Sequence, residues 1–230
     1  MQTRKFAEFD ILFTLNPYQI DAGFFSMNAS KHTPYSIAIL AGGQSRRMGR
    51  NKALITLHGK PVLQWVIDAV APLTDDLFLV TNTPAEYRPF NLPMVSDILP
   101  GNAALGGIYT AIATAKHPWT FLLACDMPLV RADAIEALAS MRDGVDVVVP
   151  RITPHPETLH AFYRKTCLPA IEAQLAKKSL RVVGFFDAVR VRYVDADTII
   201  AVTGNFDFLS NLNTPEDVER VLKILKNHQN

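Results

Sequence analysis

Four cationic side chains follow a pair of adjacent glycines between residues 37 and 52, in the segment IAILAGGQSRRMGRNK. Gly42 and Gly43 permit positive φ angles and close approach of a ligand, so their N–H groups can converge on phosphate oxygens. The cations that could neutralise a polyphosphate are Arg46, Arg47, Arg50 and Lys52. The pattern predicts a triphosphate-binding loop, and its plain alternative is a strand-to-helix turn with a solvated basic face.

Two common phosphate-binding motifs do not fit this segment. A P-loop needs GxxxxGK followed by Ser or Thr, and the residues from Gly43 to Arg50 do not supply it. The dinucleotide fingerprint GxGxxG is absent because the glycines are adjacent. The loop is therefore of a different kind.

An aspartate ends the apolar run LLACDMP, where a carboxylate has no hydrophobic reason to lie. Asp126 at such a position suits Mg²⁺, which takes one or two carboxylates together with waters and substrate phosphates. The alternative is an N-cap for a following helix. Lys52, Asp97 and Asp126 each follow a predicted strand, so we expect them to meet at the carboxyl edge of one sheet.

Strand-like apolar runs alternate with helical patterns from Ser36 onward. The alternation predicts one doubly wound, Rossmann-like α/β domain, with a mostly parallel sheet and helices on both faces. The predicted strands are 37–40, 76–81, 94–96, 119–125, 145–149 and 189–194. The predicted helices are 61–71, 106–115, 131–141, 166–176 and 215–226, the last with Thr214 as its N-cap.

The bulk composition is that of a globular protein with a full core: 230 residues, 49% of them apolar and 20% charged. A net charge of +1 argues against a general nucleic-acid binder. The two cysteines, Cys125 and Cys167, are too few for a disulfide framework or a zinc site, and we expect Cys125 to be a buried thiol. No stretch reaches the roughly 18 apolar residues of a membrane span, so we expect a cytoplasmic protein without a membrane partner.

Several motifs in order resemble one known family. LAGGxSxRMGxxK looks like the signature of the MobA-like nucleotidyltransferases, and within them of the molybdenum cofactor guanylyltransferases. The resemblance continues through four further segments, which are VSDILPG, ALGGIYTAI, LLACDMP and NLNTPED. Together they span roughly residues 35 to 222. The fold implied is of the nucleotide-diphospho-sugar transferase type.

The resemblance implies transfer of GMP from GTP to Mo-molybdopterin with Mg²⁺ as cofactor, giving the guanine dinucleotide cofactor and pyrophosphate. Arg47, Lys52 and Asp126 carry over as catalytic residues, Asp126 also as the metal ligand. The nucleotide contacts implied are Leu40, Ala41, Gly42, Gly43, Lys52, Asn82, Asp97 and Asp126. By register the family's asparagine falls on Val80, and Asn82 is the nearby candidate.

The acceptor contacts implied are His155, His160 and Arg181, from the segment where the family binds its acceptor. Asn211 and Asn213 could support the metal or the acceptor, and their alternative is a cap or turn. Molybdoenzyme chaperones or other cofactor-synthesis proteins are further partners to be expected.

Residues 1–34 precede the part that resembles the family, which we take as a nucleotidyltransferase domain over residues 35–230. The acidic Glu8 and Asp10 interrupt the apolar start, and no small-residue cleavage site follows, which argues against a secretory signal. Met27 offers a second start, so we expect residues 1–34 to be a disordered or mis-started extension.

Three rival functions remain open from the sequence. In the resembling family the first glycine of LAGG goes with guanine, and alanine there goes with cytosine, so Gly42 favours GTP. The nearest rivals are a molybdopterin cytidylyltransferase and a sugar-phosphate nucleotidyltransferase. A non-catalytic pterin carrier is a rival of another class.

Overall fold

A seven-stranded sheet forms the centre of the computed structural model, which describes residues 33–42 and 51–227. The strands, numbered along the chain, are β1 (Tyr35–Leu40), β2 (Thr56–Leu57), β3 (Lys60–Pro61), β4 (Leu77–Val80), β5 (Met94–Val95), β6 (Trp119–Ala124), β7 (Val147–Pro150), β8 (His160–Arg164) and β9 (Val191–Val194). The sheet order is β5-β4-β1-β6-β8-β7-β9, with β8 antiparallel to both neighbours and the other pairs parallel. β2 and β3 form a separate antiparallel hairpin.

Helices cover both faces of this sheet. They are α1 (Val62–Val70), α2 (Pro84–Tyr87), α3 (Ala103–Thr114), α4 (Ala132–Ala139), α5 (Leu168–Ala176), α6 (Ala196–Thr203) and α7 (Pro215–Asn227). α1, α4 and α6 contribute to the core on one face, and α3 and α5 to the core on the other. α7 packs with α1 and the β2–β3 hairpin in a third, smaller cluster. The doubly wound prediction is confirmed.

Burial on both faces explains why β1 reads as a continuous apolar run. Ile37 and Ile39 enter the core beneath α1 and α4, while Ala38 enters the opposite core with α3, and all three are fully buried. A strand covered on both sides needs apolar residues at every position. β6 shows the same alternation, with Phe121 on one side and Leu122 on the other.

Parallel pairing brings several strand ends to one edge, which we call the carboxyl edge. Backbone pairing continues just past the strands, where Ala41 N–H donates to the Val80 carbonyl at 2.9 Å and Thr81 N–H donates to the Val95 carbonyl at 2.9 Å. Residues that follow β1, β4, β5 and β6 therefore lie side by side. β8 runs the other way, so it begins at this edge.

The predicted strands and helices are all present, with shifted ends. Among the helices and strands of the described residues, those not predicted are β2 and β3 of the hairpin, α2, β8 and α6. β8 was missed because its segment, HAFYR, contains the polar side chains of His160 and Tyr163, although four of its five residues are buried. The fold therefore contains an antiparallel member that the βαβ alternation did not suggest.

The glycine pair permits positive φ, and Gly42 does not adopt it. Gly43, Arg46, Arg47 and Arg50 lie outside the described residues, as do residues 1–32. The predictions made for them stay predictions.

Candidate active site

Lys52 and Asp126 meet at the carboxyl edge, as predicted. The Lys52 Nζ atom lies 3.3 Å from Asp126 Oδ2, and each side chain is 16% exposed. Lys52 begins a short 3-10 turn, Lys52–Leu54, and Asp126 follows β6. An ammonium group and a carboxylate held together at the mouth of the sheet can contact phosphate oxygens and a divalent cation.

Asn213 completes this cluster from the far end of the chain. Lys52 Nζ donates to Asn213 Oδ1 at 2.7 Å, and Leu212 N–H donates to the Asp126 backbone carbonyl at 3.1 Å. The segment before α7 is thus joined to both the lysine and the aspartate. Of the two asparagines considered from sequence, Asn213 reaches the cluster, whereas Asn211 donates only a long hydrogen bond to the Leu209 carbonyl at 3.5 Å.

The start of α7 fixes the position of Asn213. Thr214 Oγ1 accepts from the Asp217 N–H at 3.2 Å, and Asp217 Oδ2 accepts from the backbone N–H groups of Asn213 and Thr214 at 3.0 and 2.9 Å. This reciprocal arrangement is a capping box, so the predicted N-cap is confirmed. Partial burial acts to raise the pKa of Asp217, but these hydrogen bonds outweigh it and lower the pKa, so the carboxylate stays ionised. An open groove of about 440 Å³ lies beside this segment.

Asp97 lies at the same edge and organises its own loop. Its Oδ1 atom accepts from Leu99 N–H at 3.0 Å and from Thr110 Oγ1 at 2.9 Å. The Asn82 side chain supports it, since Asn82 Oδ1 accepts from the Asp97 N–H at 2.9 Å. The predicted nucleotide contacts of Asp97 and Asn82 stay predictions, and the structure adds that the two residues form one hydrogen-bonded unit.

Gly106 provides the room that the Asp97 loop needs. A methyl group on Gly106 would lie 2.8 Å from the Leu99 carbonyl oxygen and 3.1 Å from Asp97 Oδ2. At Gly106 the close approach is therefore to the protein's own loop.

Part of the backbone at the end of β1 is already hydrogen-bonded within the protein. The Leu40 carbonyl accepts from Cys125 N–H at 3.2 Å, and the Ala41 N–H is paired with β4. Within the described hydrogen bonds, the Gly42 N–H has no partner. Of Leu40, Ala41 and Gly42, Gly42 is thus the residue whose backbone N–H has no partner within the described part of the chain.

Cys125, directly before Asp126, is partly buried and packs against the core. Burial, and secondarily the Asp126 carboxylate, raises the pKa of its thiol to about 12. The thiol stays protonated and is a poor nucleophile, so we assign it no covalent role.

The three predicted acceptor residues differ in exposure. His155 is exposed in the connection between β7 and β8, at the carboxyl edge, and Arg181 is exposed beyond α5. His160 is fully buried on β8, against Phe121 and Phe208, so its prediction as an acceptor contact is wrong. The roles of His155 and Arg181 stay predictions.

Asn51 was missed from the sequence. Its side-chain oxygen accepts from Ala53 N–H at 3.1 Å, which caps the turn that begins at Lys52. The signal that could have revealed it is an Asn directly before a helical start, the usual identity of an N-cap.

Comparison with known proteins gives this arrangement a context. The profile of the MobA-like NTP transferase domain matches residues 37–204, which include both Lys52 and Asp126. The chain belongs to the MobA-like NTP transferase family. A probable molybdenum cofactor guanylyltransferase of Carboxydothermus hydrogenoformans is 36% identical over 189 residues, covering 82% of this chain and 95% of the relative. The molybdenum cofactor guanylyltransferase of Desulfosudis oleivorans is 33% identical over 190 residues, covering 82% and 94%.

Solved structures share the fold of this MobA-like transferase. The molybdopterin-guanine dinucleotide biosynthesis protein A of Archaeoglobus fulgidus superposes with a TM-score of 0.74 at 23% identity, covering 84% of this chain and 99% of that one. The 2-C-methyl-D-erythritol 4-phosphate cytidylyltransferase of Thermus thermophilus superposes with a TM-score of 0.64 at 14% sequence identity. The superposition covers 84% of this chain and 99% of that one. At these identities the likeness shows the fold alone.

Metal-binding clusters and membrane-spanning helices are both absent from the described residues. The described residues include no group of three or more His, Cys, Asp and Glu side chains arranged to hold a metal. None of the helices in the described part of the chain has the length and apolar character that a bilayer crossing requires.

Proposed function

We propose that the protein is a molybdenum cofactor guanylyltransferase, which transfers GMP from GTP to Mo-molybdopterin and releases pyrophosphate. The observation that carries the proposal is the Lys52–Asp126–Asn213 cluster at the carboxyl edge, where doubly wound sheets bind nucleotides. Two relatives that each cover 82% of the chain carry the names probable molybdenum cofactor guanylyltransferase and molybdenum cofactor guanylyltransferase.

In the proposed reaction, an oxygen of the acceptor phosphate attacks the α-phosphorus of GTP. A new P–O bond forms, and the bond from the α-phosphorus to the oxygen that bridges to the β-phosphorus breaks, so pyrophosphate leaves with that electron pair. The acceptor oxygen is already ionised, so no strong general base is needed. Catalysis then consists of positioning and charge stabilisation, with Lys52 and the predicted Arg47 facing the phosphates.

Asp126 is the residue we propose to hold Mg²⁺. The donor set fits, because Mg²⁺ in nucleotide sites takes one or two carboxylates and completes its shell with phosphates and waters. Asp126 offers one carboxylate, and the amide of Asn213 adjoins it through Lys52. When bound, the ion would neutralise charge on the triphosphate. Lys52 would meanwhile hold one carboxylate oxygen and orient the group.

Gly42 supports GTP rather than CTP as the donor. In the described part of the chain, no atom lies within 4 Å of the position that a methyl group on Gly42 would take, and its φ is not positive. Neither packing nor described backbone geometry therefore requires glycine there. The preference for guanine therefore rests on the family resemblance of LAGG, in which the base passes close to this backbone.

We place the acceptor beside His155 and Arg181, both exposed, and the reaction in the cytoplasm, where a cytoplasmic chaperone of molybdoenzymes could receive the product. These parts of the proposal rest on the family resemblance of the sequence. Membrane and nucleic-acid partners are not proposed, because the sequence carries neither a long apolar run nor a basic excess.

The decisive experiment is a pyrophosphate-release assay with each of the four nucleoside triphosphates, Mg²⁺ and Mo-molybdopterin. We expect release with GTP that depends on the acceptor. Release with CTP alone would instead support the cytidylyltransferase, and release with a sugar phosphate as acceptor would support the sugar-phosphate enzyme. Acceptor binding without release from any nucleotide would overturn the proposal in favour of a pterin carrier.

Base choice can be tested separately with Gly42→Ala. Because the described surroundings accommodate the methyl group, we expect an unchanged melting temperature. The ratio of kcat/KM for GTP to that for CTP should fall by about tenfold or more, as a misfit of roughly 1.4 kcal/mol would produce. An unchanged ratio would remove Gly42 from the argument for guanine.

A further inference from the structure

Asn51 joins the phosphate-facing lysine to a helix on a different part of the sheet. Its Nδ2 atom donates to Glu86 Oε2 at 2.7 Å and to the Tyr87 hydroxyl at 2.9 Å. Both partners belong to α2, which follows β4, whereas Lys52 follows β1 in the chain. A single amide thus connects the turn that begins at Lys52 with α2.

The contacts of Asn51 fix which atom of the amide faces which partner. Its oxygen accepts from Ala53 N–H, so its nitrogen must face α2, where it meets a carboxylate. The Tyr87 end of this contact is rigid, because Tyr87 is 3% exposed and packs against Phe90. Burial raises the pKa of Tyr87 to about 12, so its hydroxyl stays neutral.

Glu86 makes the amide necessary at position 51. An aspartate there could still cap the turn through an oxygen, but it would set a second carboxylate against Glu86 at hydrogen-bonding distance. Two like charges at that separation repel, whereas an amide N–H donating to a carboxylate is a charge-assisted hydrogen bond. The identity of residue 51 is therefore tied to that of residue 86.

We propose that Asn51 is a positioning residue for nucleotide binding, and that its contact with Glu86 sets the place of Lys52 beside Asp126. Asn51 touches neither the phosphates nor the metal in this assignment. It holds the turn whose first residue is Lys52, and it does so from α2. The inference rests on the proposed function, since it takes Lys52 as a nucleotide contact.

The test is a double-mutant cycle with Asn51→Asp, Glu86→Gln and the two combined. The measurements are the calorimetric Kd for Mg²⁺–GTP, kcat and KM, and the melting temperature.

Asn51→Asp should raise the Kd by about tenfold, which corresponds to a loss of roughly 1.4 kcal/mol. Glu86→Gln alone should stay within about threefold of the parent, by the same scale. The double variant should regain most of the affinity, because the amide introduced at position 86 can donate to the carboxylate introduced at position 51. The hydrogen bond is then restored with its direction reversed.

A matched control separates this effect from charge and stability. Gln64 on α1 donates to Asp68 Oδ1 at 2.7 Å, in the same amide-to-carboxylate geometry but away from the site. Gln64→Glu should change the melting temperature as Asn51→Asp does and leave the Kd unaltered.

The outcomes are distinguishable. If the parent protein neither binds GTP nor releases pyrophosphate, the proposed function fails. If the parent is active and the double variant binds GTP as weakly as Asn51→Asp, or if Asn51→Asp binds like the parent, the positioning role is wrong. Rescue of the Kd in the double variant, together with an unaltered Kd in Gln64→Glu, supports it, because a loss of stability alone does not weaken GTP binding.

Discussion

Lys52 Nζ lies 3.3 Å from Asp126 Oδ2, although 74 positions separate the two residues in the chain. The parallel pairing of β1 with β6 brings them together, because Leu40 is in register with Ala124 at the ends of these strands. A conformation of the chain that did not form this pairing would leave both charges without a partner. The site thus depends on the same hydrogen bonds that form the centre of the sheet.

Asp126→Asn should reduce pyrophosphate release by at least about a hundredfold, the usual cost of removing one preorganised electrostatic group. The side chain keeps its size, and its amide oxygen still accepts from Lys52, so the fold should persist. Steady-state turnover and far-UV circular dichroism measure the two effects. The control is Asp68→Asn on α1, which removes a surface ion pair with Lys60 and should leave turnover unchanged.

Asn213→Leu should weaken GTP turnover by about tenfold, a loss of roughly 1.4 kcal/mol. Leucine has the same number and branching of side-chain heavy atoms, but it removes the oxygen that accepts from Lys52 Nζ at 2.7 Å and leaves Asp126 as the remaining described partner of the ammonium. Asn227→Leu, at the exposed end of α7, is the comparison substitution. Turnover equal to that of the parent would show that Asn213 does not orient the lysine.

Two neighbouring glycines should respond oppositely to alanine. Gly106→Ala sets its methyl 2.8 Å from the Leu99 carbonyl oxygen, so it should cost about 1–3 kcal/mol in the free energy of unfolding. Gly107→Ala meets only Leu40 methyl groups at 3.6 Å, so it should be neutral or gain up to about 1 kcal/mol from helix propensity. Urea unfolding of both variants measures the difference, and equal effects would contradict the described geometry.

His160 should make the protein sensitive to mild acid. Burial lowers the pKa of its ring to about 3, and within the described residues neither ring nitrogen has a hydrogen-bond partner. Between about pH 6.5 and 3 the unfolded chain therefore binds a proton that the folded chain does not, so stability falls as the pH falls through this window.

The His160→Leu variant isolates this contribution. Between pH 7.5 and 5, the parent should lose about 2 kcal/mol of unfolding free energy more than the variant. Urea denaturation at the two pH values measures it, because other titrating groups contribute equally to both proteins. Parallel losses in the two proteins would mean that the ring is protonated in the folded state.

Much of the fold was predictable because β1 and β6 are buried on both faces, and a continuous apolar run is the direct result. β8 was not predictable, because its buried positions alternate between two cores and include a histidine. Sequence patterns assign histidine to the surface. A sequence pattern records only which residues are polar. It does not show that the imidazole of His160 can be enclosed between Phe121 and Phe208.

The centre of the site was predictable for a related reason. Lys52 and Asp126 follow strong strand signals, and strand ends converge in a parallel sheet. Asn213 and Asn51 were harder, since their roles depend on which partner a loop meets, and an asparagine before a helix has the same appearance whether or not it contacts a lysine. His160 was misassigned because a motif resemblance carries no information on burial.

The reversed direction of β8 gives the chain a means of evolutionary change. β7 ends at Pro150 and β8 begins at His160, so the connection between them starts and finishes on the carboxyl edge without an intervening helix. Insertions there extend outward into solvent and disturb no strand register. Natural selection can therefore reshape the surface of the carboxyl edge by lengthening or shortening a single connection, while the Lys52 and Asp126 pair keeps its place.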